Sequence, residues 1–236
     1  HMWKYGTTQA QIAAGAAKNH NYGALNEKAQ YRFQMTPQSV LEDRPVSFPL
    51  TRAMCAPIGD GAAAALLCSA EYLEKQPKDV QDRAIRIAGV GFSGGMYRNL
   101  DAPGLTRAAA DKAYRMAGLG PEDIDVAEVH DATSFCEIYQ CEMLRFCPEG
   151  EGGKFVESGA TGPGGKLPVN TSGGFVSKGH PVGATGLSML AELATQLRGE
   201  AGARQVEGAK VALAENGGGV IGMEEAVASV VILKKE

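Results

Sequence analysis

No stretch of these 236 residues is apolar and long enough to span a bilayer, and the start lacks the charged-then-apolar pattern of a secretory signal. There is no C-x-x-C pair either. Five cysteines stand at 55, 68, 136, 141 and 147, an odd number, most of them inside apolar segments, which fits free, reduced thiols in a cytoplasmic protein. The four histidines and the carboxylates show no metal-binding spacing. Basic residues are not in excess: 23 Lys and Arg against 27 Asp and Glu leave a net charge of −4, which argues against nucleic acid or an anionic membrane as partner. A local basic pocket for a phosphate-bearing ligand remains compatible with that balance. Glycine, by contrast, is plentiful. Many of the 31 glycines fall in the second half, so backbone-shaped loops are expected there. Hydrophobic residues at 44% and charged ones at 21% suit a globular chain with one large or two small domains.

Thr8 followed by Gln11 makes a capping box, and Ile12, Ala13, Ala16 and Ala17 form an apolar stripe behind it. From Gly23 to Pro49 the chain is polar and broken by Pro37, Pro45 and Pro49, which predicts an excursion over the surface. Residues 61–68 suit a buried strand, with Ser69 capping a short helix that Pro77 ends. The charged residues 78–83 mark a boundary. Beyond it the pattern predicts a strand at 84–92, a helix near 105–117 stopped by Gly118, and a strand at 126–130. A helix near 134–146 opened by the box Ser134…Glu137, a glycine-rich stretch over 150–186, an amphipathic helix ended by Gly199, and strands at 209–214 and 226–233 follow. This alternation predicts an α/β unit with a layered helix–sheet core. The first unit offers one good strand, too little for a sheet of its own. That strand wants partners from elsewhere, through truncation or a neighbouring polypeptide, and the chain alone is expected to be unstable because the strand edge is unpaired.

Three places carry groups suited to chemistry. His130 closes the strand Val126–His130 and leads into Asp131-Ala132-Thr133-Ser134, a helix entry. Ligands bind α/β sheets where strand C-termini meet helix N-termini, because amides and the helix dipole point there. A hydrogen-bonded structural histidine is the alternative. His180 stands in Gly179-His180-Pro181-Val182-Gly183-Ala184-Thr185-Gly186, where Pro181 stiffens the backbone and the glycines admit close approach of a substrate. Such a histidine removes a proton from a thiol or donates to a thioester oxygen, unless it is incidental to a glycine-rich turn. Glu215-Asn216-Gly217-Gly218-Gly219 offers free amides, suited to an oxyanion hole or simply to a tight turn. Gly162-Pro163-Gly164-Gly165-Lys166 imitates a phosphate loop, but Ala160 holds the leading glycine position, Leu167 replaces Ser/Thr and no strand precedes it.

Together these segments resemble the thiolase superfamily, in its sterol-carrier-type and thiolase-like aldolase branch. Asn170-Thr171-Ser172-Gly173-Gly174, a short spacer and then residues 179–186 look like the family's signature before its histidine-bearing loop. Gly59-Asp60-Gly61-Ala62-Ala63-Ala64 looks like the family's Asp-Gly-Ala-Ala strand entry, and Val129-His130-Asp131-Ala132 resembles the His-Asp motif of sterol-carrier-type members. The likeness runs from near residue 1 to the end. It implies an α/β, thiolase-like layered fold: the end of a loop domain over 1–55, the last strand and helix of the N-terminal half over 56–80, and a complete C-terminal half over 81–236. It also implies that the nucleophilic cysteine is supplied by residues not in this sequence.

The activity implied by the resemblance is acyl transfer on a 3-ketoacyl-CoA, cleaved or formed, in acyl-CoA metabolism and lipid degradation. Coenzyme A enters as the substrate thioester, with no resident cofactor or metal. By position, His180 activates the cysteine and helps hold the thioester oxygen, His130 holds the enolate oxygen directly or through water, and Gly217 N–H completes a second oxyanion hole. Ala56, Ala132 and Ser172 fall at substrate-binding positions. Two departures stand out. Glu215 occupies the place where most thiolases carry an acid/base cysteine, and Ala132 the place where sterol-carrier-type members carry theirs. Glu215 is expected to serve instead if burial raises its pKa towards neutrality; Cys136, one turn past His130, is a weaker candidate. The lost cysteines also fit a retro-aldolase on a 3-hydroxyacyl-CoA, of the kind that works with a zinc-ribbon/OB-fold partner protein. A non-catalytic scaffolding subunit is the third reading. A homo- or hetero-oligomer is expected, without nucleic acid or membrane.

Overall fold

The computed structural model describes residues 1–95, 97–99, 101–222 and 225–235. Its centre is a mixed sheet of β1 (Arg86–Gly94), β2 (Val126–Glu128), β3 (Val211–Gly218) and β4 (Val227–Lys234), in the order β1-β4-β3-β2. β4 runs antiparallel to both neighbours, and β2 lies parallel to β3 with Val126 opposite Ala212 and Glu128 opposite Ala214. The helices that matter for the site are α1 (Gln9–Ala24), α2 (Leu105–Ala117), α3 (Ser134–Met143), α4 (Gly174–Lys178) and α5 (Thr185–Leu197). The layered α/β core is present as expected.

Side chains alternate across a strand, so β3 feeds two cores at once. Val211 and Leu213 pack with Leu105, Ala109, Ala113 and Leu144 from α2 and the end of α3. Ala212 and Ala214 pack with Phe175, Met189 and Leu193 from α4 and α5. Each fully buried leucine here contributes about 1.5–3 kcal/mol relative to exposure. α2 sits unusually close to β1, because the strand turns Gly89 and Gly91 towards it. A Cβ at Gly91 would overlap the Ala109 carbonyl. The helix ends where Gly118 adopts φ +65 and donates its N–H to Tyr114, a left-handed cap that other residues reach only with strain.

α1 begins at the capping box: Gln11 N–H donates to Thr8 Oγ1 at 3.2 Å and Thr8 N–H to Gln11 Oε1 at 3.0 Å. Its stripe of Ile12, Ala13, Ala16 and Ala17 is buried against Met54, Ile138 and Val156. Residues 1–55 therefore pack directly on α3 and on the helix Gly152–Glu157.

Four expectations change. Residues 56–69 form no strand; Ile58 and Leu66 stand 100% and 98% exposed. Among the described residues no strand runs beside them, and a strand whose amides lack partners does not hold. The helix capped by Ser69 does form, over Ala70–Leu73, with Tyr72 N–H donating to Ser69 Oγ at 3.2 Å. The charged boundary at 78–83 is itself a short helix, Lys78–Arg83. The box Ser134…Glu137 is not made: Thr133 occupies the cap without a side-chain bond to the helix amides, and the buried Ser134 hydroxyl lacks a partner. Glu137 turns instead to Lys18, Asn19 and Asn170, a cation and two amides inside the protein, which outcompete a helix-end amide. Finally, β3 runs four residues beyond 214, so Gly217 and Gly218 are strand residues and the turn begins at Gly219, φ +68. Among the described residues no helix is long and apolar enough to cross a membrane.

Candidate active site

The strand period sorts the candidate residues onto two faces. Val126, Glu128 and His130 project towards α4 and α5, as do Ala212, Ala214 and Asn216 on β3. Glu215 and Gly217 project to the opposite face, towards α2 and α3.

On the first face the segment Asn170–Gly174 is stitched to β2. Asn170, at φ 58, accepts the Val129 N–H on Oδ1 at 2.8 Å and donates Nδ2 to Glu137 at 3.0 Å. Glu128 is wholly buried and accepts Ser172 N–H at 2.9 Å and Ser172 Oγ–H at 2.5 Å, with Lys178 Nζ at 3.4 Å as its cation. Asp131 accepts Phe175 N–H at 2.6 Å and Asn19 Nδ2 at 2.9 Å. Gly174, at φ +58, leaves room for that carboxylate, which a Cβ would strike. Burial, reinforced by the charge on Glu137, pushes the Asp131 pKa well above the carboxylate range.

These bonds aim Phe175 at both imidazoles. Its ring lies parallel to His180 at 4.6 Å and edge-on to His130 at 4.8 Å, and the two imidazoles stand 5.3 Å apart. His130 Nδ1–H donates to Asn216 Oδ1 at 3.2 Å, with the Gly217 main chain also in hydrogen-bonding reach of the ring. His180 Nδ1 meets Thr185 Oγ1 at 2.9 Å, while that hydroxyl donates to the Pro181 carbonyl at 2.9 Å. A hydroxyl has one proton to give, so His180 carries its own on Nδ1 and presents a bare Nε2. Burial lowers both pKa values, the neighbouring His130 adding to the effect at His180. Near neutral pH the pair is therefore uncharged, and His180 Nε2 is a base.

On the second face Glu215 is wholly buried. Its carboxyl accepts the Thr106 hydroxyl at 3.1 Å and the His130 N–H at 3.0 Å, so it reaches the imidazole face through the His130 main chain. Burial raises its pKa to about 8, in the direction expected from the sequence. Cys136 lies on this face beside Thr133, Sγ to Oγ1 3.3 Å, and burial pushes its thiol up. Cys55 and Cys141 are raised by burial too, and Cys147 to about 12. None of these four is an activated thiolate.

The structure thus brings His130, His180 and Gly217 together, with Glu215 beneath the strand end. Ala56 and Ala132 are also neighbours, Ala56 N–H donating to the Ala132 carbonyl at 2.9 Å, both half-buried at the margin. Ser172, expected at the substrate, is wholly buried with its hydroxyl committed to Glu128, so it shapes the loop rather than facing a ligand. Sequence reasoning missed Phe175, Thr185 and Asn216. The first two lie within five residues of His180, a spacing open to inspection. No group of three or more His, Cys, Asp or Glu is gathered for a metal among the described residues.

A family model described as thiolase C-terminal domain-like matches residues 96–235. Sterol carrier protein 2 of Rattus norvegicus is 42% identical over 224 residues, covering 92% of this chain and 41% of that protein. An acetyl-CoA acetyltransferase of Methanothermobacter thermautotrophicus is 41% identical over 227 residues, covering 94% of this chain and 58% of that protein. The chain therefore spans about two to three fifths of the length of these relatives. Among solved structures, an Ltp2-ChsH2(DUF35) aldolase superposes with a TM-score of 0.84 at 24% identity, over 99% of this chain and 60% of that one, a likeness of fold.

Proposed function

The chain belongs to the thiolase superfamily, and from that premise we propose that it is, within the sterol-carrier-type and aldolase branch, the histidine-bearing part of an acyl-CoA acyltransferase acting on a 3-ketoacyl-CoA. The observation that carries the reading is the pairing of two imidazoles, His130 and His180, 5.3 Å apart beyond the end of β2, with the Gly217 main chain in reach of the His130 ring. A thioester carbonyl placed there meets a base and a ring of dipoles where negative charge develops.

In this mechanism His180 Nε2 takes the proton of a cysteine thiol supplied from outside residues 1–236, and the resulting imidazolium donates to the thioester oxygen. Nδ1, backed by Thr185, holds the ring in register as charge appears. His130 has committed its Nδ1 proton to Asn216, so its second nitrogen meets the enolate oxygen through an intervening water rather than directly. The Gly217 amide adds a dipole to the second oxygen. For Glu215, protonated at neutral pH at its pKa of about 8, to give and take the α-proton in place of the family's thiol, its carboxyl must turn from Thr106 on the second face towards the imidazoles. Coenzyme A is the substrate's carrier, and no resident cofactor takes part.

The test is α-proton exchange of an acyl-CoA in D2O, read by mass spectrometry. The wild-type chain should label the α-carbon and Glu215→Gln should not; equal labelling would return Glu215 to a structural role. A second reading, retro-aldol cleavage of a 3-hydroxyacyl-CoA beside an OB-fold partner, is favoured by Glu215 and Ala132 standing where relatives carry thiols. Carbonyl release without a trapped acyl-enzyme would select it.

A further inference from the structure

A wholly buried acid/base must recover its proton after each cycle, and Glu215 has no exposed surface through which to do so. Glu225, in the turn between β3 and β4, is half-buried and lies across Gly217. A Cβ at 217 would overlap Glu225 Cγ and meet its Cδ and Oε1 at 2.9 Å. Gln140 Nε2 donates to Glu225 Oε1 at 3.2 Å and fixes the carboxylate over that glycine. Glu215 lies two residues earlier on the same strand face. The two carboxyls are electrostatic neighbours, Glu225 adding to the upward shift of Glu215. The groups facing the pair are Thr106 from α2, Cys136 and Gln140 from α3, and His130 from the end of β2.

We propose that Glu225 carries protons between solvent and the buried Glu215 carboxyl, the two working as one acid–base pair. This rests on the reading of Glu215 as the group that handles the substrate's proton. A proton leaving Glu215 is taken up by the Glu225 carboxylate, which then releases it to water; on the return path water protonates Glu225 and Glu225 protonates Glu215. The pair keeps one negative charge between them until water accepts or gives the proton. Gly217 keeps the path open, because any side chain there would push Glu225 away. Glycine at this position thus has a second physical reason besides its amide.

The experiment is infrared spectroscopy of the whole chain transferred to D2O, following the C=O stretch of the protonated Glu215 carboxyl, identified by its disappearance in Glu215→Gln. Glu225→Gln preserves the oxygen that Gln140 binds, and should slow hydrogen–deuterium exchange at Glu215 about tenfold or more. It should also lower the Glu215 titration midpoint, since a like charge has gone. Glu225→Asp, one methylene shorter, should fall between the two. Gly217→Ala should slow exchange while leaving the second carboxyl in the protein. Wild-type exchange and an unmoved midpoint in Glu225→Gln overturn the proposal. Failure of the functional reading looks different: the relay behaves as stated, yet the wild-type chain does not label an acyl-CoA at its α-carbon.

Discussion

Replace Glu215 by glutamine and the shape of the site is preserved. The amide oxygen accepts the His130 N–H, the amide nitrogen donates to the Thr106 hydroxyl, and only the ionisable proton is lost. In the wild type that proton is held to about pH 8 in the fold, against 4.5 for an ordinary glutamate, chiefly because burial disfavours the carboxylate. Below about 4.5 both folded and unfolded chains are protonated here, and the contribution to stability is fully present. As pH rises towards 8 the unfolded chain releases a proton that the folded chain keeps. Stability then falls by about 1.4 kcal/mol per pH unit, roughly 5 kcal/mol across the window. Above about 8 the loss is complete. Glu215→Gln has no such slope. Urea unfolding of both proteins across this range should show variant minus wild type near zero at the acid end, growing to several kcal/mol near pH 8. Subtraction removes the slopes of groups common to both, such as Asp131 and the histidines. A difference that stays flat with pH would refute the claim that this carboxyl is folded in its neutral form.

Three further outcomes follow from other parts of the molecule. On the proposed mechanism His180→Ala removes base and oxyanion donor together and should lower the chemical step about 10²-fold or more, and an unchanged kcat would remove His180 from the chemistry. Lys18→Met strips the buried Glu137 of the ammonium 2.9 Å away and should cost about 3–5 kcal/mol in thermal or chemical unfolding; a loss below about 1 kcal/mol would show Glu137 to be satisfied by its amides alone. Gly91→Ala forces β1 and α2 apart, because the new methyl meets the Ala109 carbonyl, and should cost about 1–3 kcal/mol with no change in His130 or His180 titration by NMR.

Elements with their own local signals were readable in advance. The Thr8–Gln11 box and the left-handed Gly118 define helix ends through bonds within a few residues, so α1 starts and α2 stops where the pattern indicates. Residues 61–68 were different. Their composition favours a strand, but a strand exists only beside another, and nothing in the segment itself supplies that edge. The Ser134–Glu137 pair failed for a related reason. The pattern is local, but Glu137 found Lys18 and Asn19 more than a hundred residues away. Local rules lose where a buried charge has a distant partner.

The same distinction governs the site. His130 and His180 could be picked out because each sits at a chain feature, a strand end or a proline-stiffened turn, that is written in adjacent residues. Whether Glu215 faces those imidazoles depends on where β3 ends. With the strand stopping at 214, Glu215 enters a turn and its direction is undefined; with pairing continued to Gly218 opposite Val227, parity sends Asn216 to the histidines and Glu215 to the other face. The continuation is set by β4, through Glu215 opposite Val230 and Gly217 opposite Ala228, and so is invisible from residues 209–219 alone. The consequence is chemical. Parity makes the carboxyl buried rather than merely nearby, burial raises its pKa, and a buried acid needs a second group such as Glu225 to reach water.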